Sequence, residues 1–76
     1  MKNITLYGAK WCAPCHQLKA RLDIEKIAYD FKDVDLKENE EAMLEASDGR
    51  YLIPTVVVGG KVMQNPTLQM VIQAAS

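Results

Sequence analysis

The two cysteines of the chain, Cys12 and Cys15, lie three positions apart in the segment Trp11-Cys12-Ala13-Pro14-Cys15. Cα atoms at this spacing on an α-helix are about 5 Å apart, and a disulfide requires roughly 4.4–6.8 Å. The two sulfur atoms can therefore form and break a bond with little movement of the backbone. This spacing favours reversible thiol–disulfide exchange, a reaction that needs no cofactor.

Cys12 comes directly before a predicted helix, and this position should activate its thiol. Unpaired N–H groups and the helix dipole favour an anion there, by up to ~2 kcal/mol. They lower the pKa of the Cys12 thiol from its ordinary value toward neutrality, and Lys10 is near enough in sequence to help. Cys15 lies one turn deeper, and Pro14 is tolerated in a first helical turn. We therefore predict that Cys12 attacks and Cys15 resolves.

Trp11 and the segment 52–55 are the next informative features of the sequence. Trp11 provides either a flat apolar wall beside Cys12 or a partly buried core aromatic, and the sequence leaves both interpretations open. The segment Leu52-Ile53-Pro54-Thr55 places a proline at the start of a predicted strand, where proline is tolerated. From the residues alone, the Ile53–Pro54 bond is expected to be trans, like most X-Pro bonds.

Other chemistries use the same cysteines. Cys12, Cys15 and His16 match the Cys-x-x-Cys-His pattern of covalent haem attachment, with Met63 or Met70 as a second iron ligand. They also provide three soft ligands, whereas structural zinc requires four. A static disulfide closing so short a loop would stabilise the fold little. We therefore expect no metal and no cofactor, and we expect His16 to be an exposed helix residue.

The elements that must position the cysteines follow from periodicity and turn residues. The order β-α-β-α-β-β-α predicts an α/β fold with a four-stranded mixed sheet, in which a right-handed crossover joins two parallel strands and an antiparallel hairpin follows. The predicted strands are 2–7, 29–34, 55–58 and 61–63, with the hairpin turn at Gly59-Gly60; the predicted helices are 13–25, 38–47 and a last one capped by Asn65 with Pro66 at its first position.

Composition limits the remaining possibilities. The chain has 76 residues, 49% of them apolar, and a net charge of −1, which predicts one domain over residues 1–76 and no affinity for nucleic acid or membranes. The N-terminal segment enters a strand pattern directly, without the apolar region of a signal peptide, so we expect a cytoplasmic location. Thiols stay reduced there, which favours a catalytic cysteine pair. A monomer is the default expectation.

The order strand, Trp-Cys-x-Pro-Cys, helix, then Ile-Pro-Thr, apolar strand and Gly-Gly resembles the thioredoxin superfamily over nearly the whole chain. The size resembles a small glutaredoxin-like redoxin, whereas the cysteine motif resembles thioredoxin. The resemblance implies a minimal thioredoxin fold with Pro54 as a cis-proline packed against the disulfide. It also implies that Ile53 pairs through its backbone with a bound substrate strand, beside Lys10 and Trp11.

The activity implied by this resemblance is reduction of disulfides in client proteins, of which ribonucleotide reductase is one example. The implied reductant is a thioredoxin-reductase-type flavoprotein or, alternatively, glutathione. Typical glutaredoxins have proline directly after the first cysteine, where this chain has Ala13. They often carry an acidic residue after Gly-Gly that holds glutathione, where this chain has Lys61. Thioredoxin has a buried aspartate on the strand entering the motif, whereas Ile4-Thr5-Leu6-Tyr7 contains no carboxylate.

Overall fold

The computed structural model describes residues 2–76. Over these residues it has four strands and three helices in the predicted order β-α-β-α-β-β-α, so the predicted minimal thioredoxin fold is confirmed. None of the helices in this range is long and apolar enough to cross a membrane. The elements are β1 (Ile4–Gly8), α1 (Ala13–Ile24), β2 (Asp30–Asp33), α2 (Lys37–Ala46), β3 (Thr55–Val58), β4 (Lys61–Gln64) and α3 (Leu68–Ala75).

The strands form one mixed sheet in the order β2-β1-β3-β4. β1 is parallel to β2, and β3 is antiparallel to β1 and to β4. Gly59 and Gly60 both have positive φ, 54° and 86°, as a two-residue hairpin turn requires. The register brings the ends of β1, β2 and β4 and the start of β3 together at one end of the sheet, which we call the Gly8 end; it contains Gly8, Asp33, Thr55 and Gln64.

The core consists of two hydrophobic clusters. The larger one lies between the sheet and helices α1 and α3, and joins Leu18 and Leu22 of α1 to Val71 and Ala75 of α3 through Leu6 and other strand residues. The smaller one contains both cysteines together with Ala9, Val34 and Met43 of α2, with Tyr7 packed against it. Because alternate residues of β1 face opposite sides, α2 covers the face that α1 and α3 leave open.

The start of α3 differs from the prediction. The helix begins at Leu68 with Thr67 as its N-cap, and the Thr67 hydroxyl accepts a hydrogen bond from the Met70 N–H at 3.2 Å. Asn65 is not the cap: its φ is +51°, a left-handed conformation that asparagine tolerates, and its N–H donates to the Pro54 carbonyl at 2.7 Å. The turn after β4 thus moves the start of α3 to Leu68, and Pro66 lies before the helix instead of at its first position.

Smaller differences concern the other boundaries. β1 spans Ile4–Gly8 where 2–7 was predicted, and its last residue, Gly8, pairs with Asp33. β2 comprises 30–33 of the predicted 29–34, and α2 spans 37–46 where 38–47 was predicted. Helix α2 ends at an exposed turn in which Asp48 and Gly49 have positive φ and the Gly49 N–H donates to the Leu44 carbonyl at 2.7 Å.

Candidate active site

The segment between β1 and α1 carries the first cysteine to the start of a helix. Cys12 is the N-cap of α1, in extended conformation, and its N–H donates to the Ala9 carbonyl at 3.2 Å. Pro14 follows in the first turn, where its lack of an N–H breaks no helical hydrogen bond. The first turn contains no acidic residue. The local electrostatic field at Cys12 is therefore that of an uncompensated helix N-terminus, which favours negative charge on sulfur.

Cys12 and Cys15 form a disulfide in the structure, with their Cα atoms 5.3 Å apart. The Cys12 Sγ also accepts a hydrogen bond from the Cys15 N–H at 3.3 Å, which is the contact made by side-chain acceptors at an N-cap. Cys12 is 6% exposed and Cys15 is 0% exposed. Both residues are therefore buried, and of the two only Cys12 keeps some exposed surface.

The buried sulfur of Cys15 fits against the end of β1. A Cβ atom added to Gly8 would lie 2.8 Å from Cys15 Sγ, closer than real contacts allow, and 3.1 Å from Phe31 Cε1, which is a tight contact. Met43 of α2, which is fully buried, belongs to the same cluster as Cys15. Neither Gly8 nor Met43 is predicted from the sequence to be part of the site. The one available signal was a glycine three residues before Trp11, in the stretch that leads from the first strand to the motif.

Trp11 lies beside Cys12 in the chain and is 65% exposed, so its interpretation as a core aromatic is wrong. Its indole Nε1–H donates to Asp35 Oδ1 at 3.2 Å. Asp35 lies between β2 and α2, and its own N–H donates to Asp33 Oδ1 at 2.9 Å. The indole is thus held against the neighbouring loop while most of its surface faces solvent. Nothing in the sequence pattern singled out Asp35.

Ile53 and Pro54 lie at the same end of the sheet as the cysteines. Their peptide bond is cis. Thr55, the next residue, pairs with Tyr7 of β1, and the side chain of Ile53 packs against the smaller cluster that includes both cysteines. Pro54 is buried, and its carbonyl accepts the Asn65 N–H. The structure therefore brings this segment to the disulfide from the side opposite β2.

Lys10 and His16 are both exposed and contact one another across the start of α1. The imidazole Nε2 of His16 lies against the Lys10 carbonyl oxygen. Within residues 2–76, no group of three or more histidine, cysteine or acidic side chains is arranged to hold a metal ion.

Comparison with known proteins identifies the family. A glutaredoxin family model matches residues 4–63, which include both cysteines and Pro54. The chain belongs to the glutaredoxin family. Candidate glutaredoxins from two strains of Mycobacterium tuberculosis are each 34% identical to it over 68 residues, covering 84% of this chain and 79% of theirs.

Solved structures agree with this glutaredoxin-family fold. A mutant of the thioredoxin-like protein BC3987 has a TM-score of 0.84 at 28% identity, covering 97% of this chain and 100% of the other. Glutaredoxin grx-1 from Archaeoglobus fulgidus has a TM-score of 0.77 at 20% identity, covering 97% and 86%, which supports the fold alone. Family and cysteine pair together make this glutaredoxin-family protein a thiol–disulfide oxidoreductase.

The position of the glycine pair corrects one comparison with glutaredoxins made from sequence. Gly59 and Gly60 join β3 to β4 beyond Val58, which pairs with Ile4 at the start of β1. A Cβ added to Gly59 would contact the side chain of Lys2. The turn thus lies at the end of the sheet remote from the cysteines. The basic residue that follows it, Lys61, therefore gives no information about glutathione at the disulfide.

Proposed function

We propose that this glutaredoxin-family protein reduces disulfides in client proteins, with Cys12 as the attacking residue. The observation that carries the proposal is the N-cap position of Cys12, bonded to a Cys15 that has no exposed surface. A pair in which one cysteine lies at an anion-stabilising helix N-terminus with some exposed surface, and the other has none, suits a two-step exchange.

The proposed reduction of a client disulfide takes place in two exchange steps. In the reduced protein, the Cys12 thiolate attacks one sulfur of the client disulfide, and the other client sulfur leaves as a thiolate and takes up a proton. Cys15 then gives up its proton and attacks Cys12 Sγ, which breaks the mixed disulfide and releases the second client thiol. The client has gained two electrons and two protons, and the protein holds the Cys12–Cys15 bond seen in the structure.

The order of attack follows from the surroundings of the two sulfurs. The Cys15 N–H and the dipole of α1 stabilise negative charge on Cys12 Sγ. Cys15 lies among Ala9, Val34 and Met43, apolar surroundings that disfavour a free thiolate. The Cys15 thiol can nevertheless attack Cys12 Sγ, because the same helix turn holds the two residues close together, 3 positions apart in sequence. This proximity compensates for the small ionised fraction of the Cys15 thiol.

Client binding is proposed to use the residues around Cys12. Trp11 offers an exposed apolar surface on one side, and the Ile53–Pro54 segment lies on the other. An extended client strand is proposed to pair with the Ile53 backbone, a form of strand addition. Lys10, which is exposed and directly precedes Trp11, is proposed to contact the client as well. Clients such as ribonucleotide reductase enter this proposal through the resemblance to the thioredoxin superfamily only.

Reduction of insulin disulfides by dithiothreitol tests the assigned roles. We expect the Cys12→Ser variant to lose catalysis entirely, because no accessible sulfur remains to attack. The Cys15→Ser variant should accumulate a mixed disulfide, because the resolving thiol is missing. Equal residual rates in the two variants would contradict the roles proposed here.

The proposed electron donor is an NADPH-linked flavoprotein of the thioredoxin-reductase type, supported by the thioredoxin-like Trp-Cys-x-Pro-Cys motif. Glutathione is the second candidate, favoured by membership of the glutaredoxin family. The test compares the rate at which each system reduces the oxidised protein. Faster reduction by thioredoxin reductase with NADPH is expected. Faster reduction by glutathione would reassign the donor and leave the proposed role of Cys12 intact.

A further inference from the structure

His16, the single histidine of the chain, makes a contact that the proposed exchange chemistry does not use. It lies in the first turn of α1 directly after Cys15, and its Nε2 is against the Lys10 carbonyl oxygen. A carbonyl oxygen only accepts hydrogen bonds, so the ring nitrogen must carry the proton. The contact therefore requires either the Nε2–H form of neutral imidazole or the imidazolium.

Two contacts of His16 connect the first turn of α1 to residues 10–12, the segment that leads to Cys12. The backbone N–H of His16 donates to the Cys12 carbonyl at 3.1 Å, while its side chain reaches back to Lys10. Within the segment, the Cys12 N–H donates to the Ala9 carbonyl at 3.2 Å. His16 thus contacts the segment at two points and fixes the Lys10 carbonyl relative to the first turn of the helix.

We propose that His16 is a positioning residue that holds the Lys10–Cys12 segment so that Cys12 Sγ stays at the N-cap of α1. This inference deepens the proposed function, because it rests on the role of Cys12 as the attacking thiol. The stabilising effect of a helix N-terminus falls off within one turn. A segment free to swing outward would carry the sulfur away from the Cys15 N–H that it now accepts from at 3.3 Å.

Three substitutions separate hydrogen bonding from charge and from ring packing. His16→Ala removes the donor, His16→Phe keeps a ring without a donor, and His16→Gln keeps an uncharged N–H donor of similar reach. His16 is exposed and helical, and alanine is the best helix former, so these variants should fold. Gln17→Ala is the matched control, because Gln17 is an exposed neighbour in the same helix.

The measurement is the rate at which iodoacetamide alkylates Cys12 in the fully reduced protein, followed from pH 5 to pH 9 by peptide mapping. We expect His16→Ala and His16→Phe to react about fivefold more slowly at pH 7, the size of a lost N-terminal interaction. His16→Gln and Gln17→Ala should stay within about twofold of the parent protein. The charged groups on the segments at this end, which include Lys10, Asp33, Asp35 and Lys37, are the same in all variants.

Two results would overturn the proposal. If His16→Gln slows the reaction as much as His16→Ala, the charge of the ring matters and its hydrogen bond does not. If none of the substitutions changes the rate, the contact with Lys10 has no effect on the thiol. Alkylation requires no client, so either result would leave the test of client reduction by insulin standing on its own.

The tautomer of His16 gives an independent check. Nitrogen-15 NMR of the neutral imidazole should show a protonated Nε2 and an unprotonated Nδ1, because the Lys10 carbonyl requires a donor. Since the chain has one histidine, the signals need no further assignment. A neutral ring protonated mainly at Nδ1 would rule out the contact in solution and with it the positioning role.

Discussion

Cys12 and Cys15 are chemically identical residues that the fold places in different surroundings. Cys12 is the N-cap of α1 and keeps a small exposed surface, whereas Cys15 is enclosed by Gly8, Val34 and Met43. The spacing in the sequence was enough to predict that the two can bond, since helix geometry sets their separation. The packing partners of Cys15 come from β1, from the residue directly after β2 and from α2, none of which the motif itself specifies.

Gly8 is the residue whose size matters most to the buried sulfur. In a Gly8→Ala variant, the new Cβ would lie 2.8 Å from Cys15 Sγ and 3.0 Å from Cys15 Cβ, so α1 or the disulfide must shift. Overpacking of this kind costs about 1–3 kcal/mol of unfolding free energy. Urea unfolding of the oxidised protein measures that loss.

A control at a different glycine separates crowding from the general effect of replacing glycine. Gly60 has a φ of +86° and no heavy atom within 4 Å of an added Cβ, and asparagine is tolerated at positive φ. Gly60→Asn should therefore cost less unfolding free energy than Gly8→Ala. A loss for Gly8→Ala no larger than that for Gly60→Asn would contradict the predicted crowding of Cys15.

Residues that act across the sheet are those that sequence reasoning could not find. Asp35 holds the Trp11 indole at 3.2 Å, but the two residues are 24 positions apart and belong to no local pattern. Ile53 and Pro54 were selected from the family resemblance, because the residues alone predicted an ordinary trans bond, whereas the structure has a cis bond.

At the scale of elements, the sequence predicted the type and order of all seven helices and strands described over residues 2–76. Apolar periodicity, the β-branched run of β3 and the glycine turn after it are local signals, and each was sufficient. The predicted start of α3 was wrong because Asn65, Pro66 and Thr67 are all residue types that favour a helix start. The hydrogen bond from the Asn65 N–H to the carbonyl of Pro54, the residue directly before β3, decides among them.

The corrected cap of α3 leads to a prediction. Thr67→Ala removes the hydroxyl that accepts from the Met70 N–H at 3.2 Å, and loss of such a cap costs about 1 kcal/mol of unfolding free energy. Thr67→Ser keeps the hydroxyl and should cost only a few tenths of that. Thermal unfolding of both variants measures the difference. Equal losses would mean that the threonine methyl group stabilises the helix start and the hydroxyl does not.

At the scale of the whole molecule, the topology concentrates helix N-termini around the disulfide. β1, β2 and β4 run in the same direction, so α1, α2 and α3, which follow them, all begin at the Gly8 end. Their dipoles add partial positive charge at that end. The positive ends of three helix dipoles thus lie at the end of the sheet that carries Cys12, and they favour a thiolate there.

The central claim is that Cys12, and not Cys15, is ionised and accessible in the reduced protein at neutral pH. Reaction with a limiting amount of iodoacetamide at pH 7, followed by peptide mapping, tests it most directly. We predict that Cys12 carries the label, and that its rate rises with pH at a midpoint well below the ~8.5 of free cysteine. Equal labelling of both cysteines, or a midpoint at the free-cysteine value, would contradict the account.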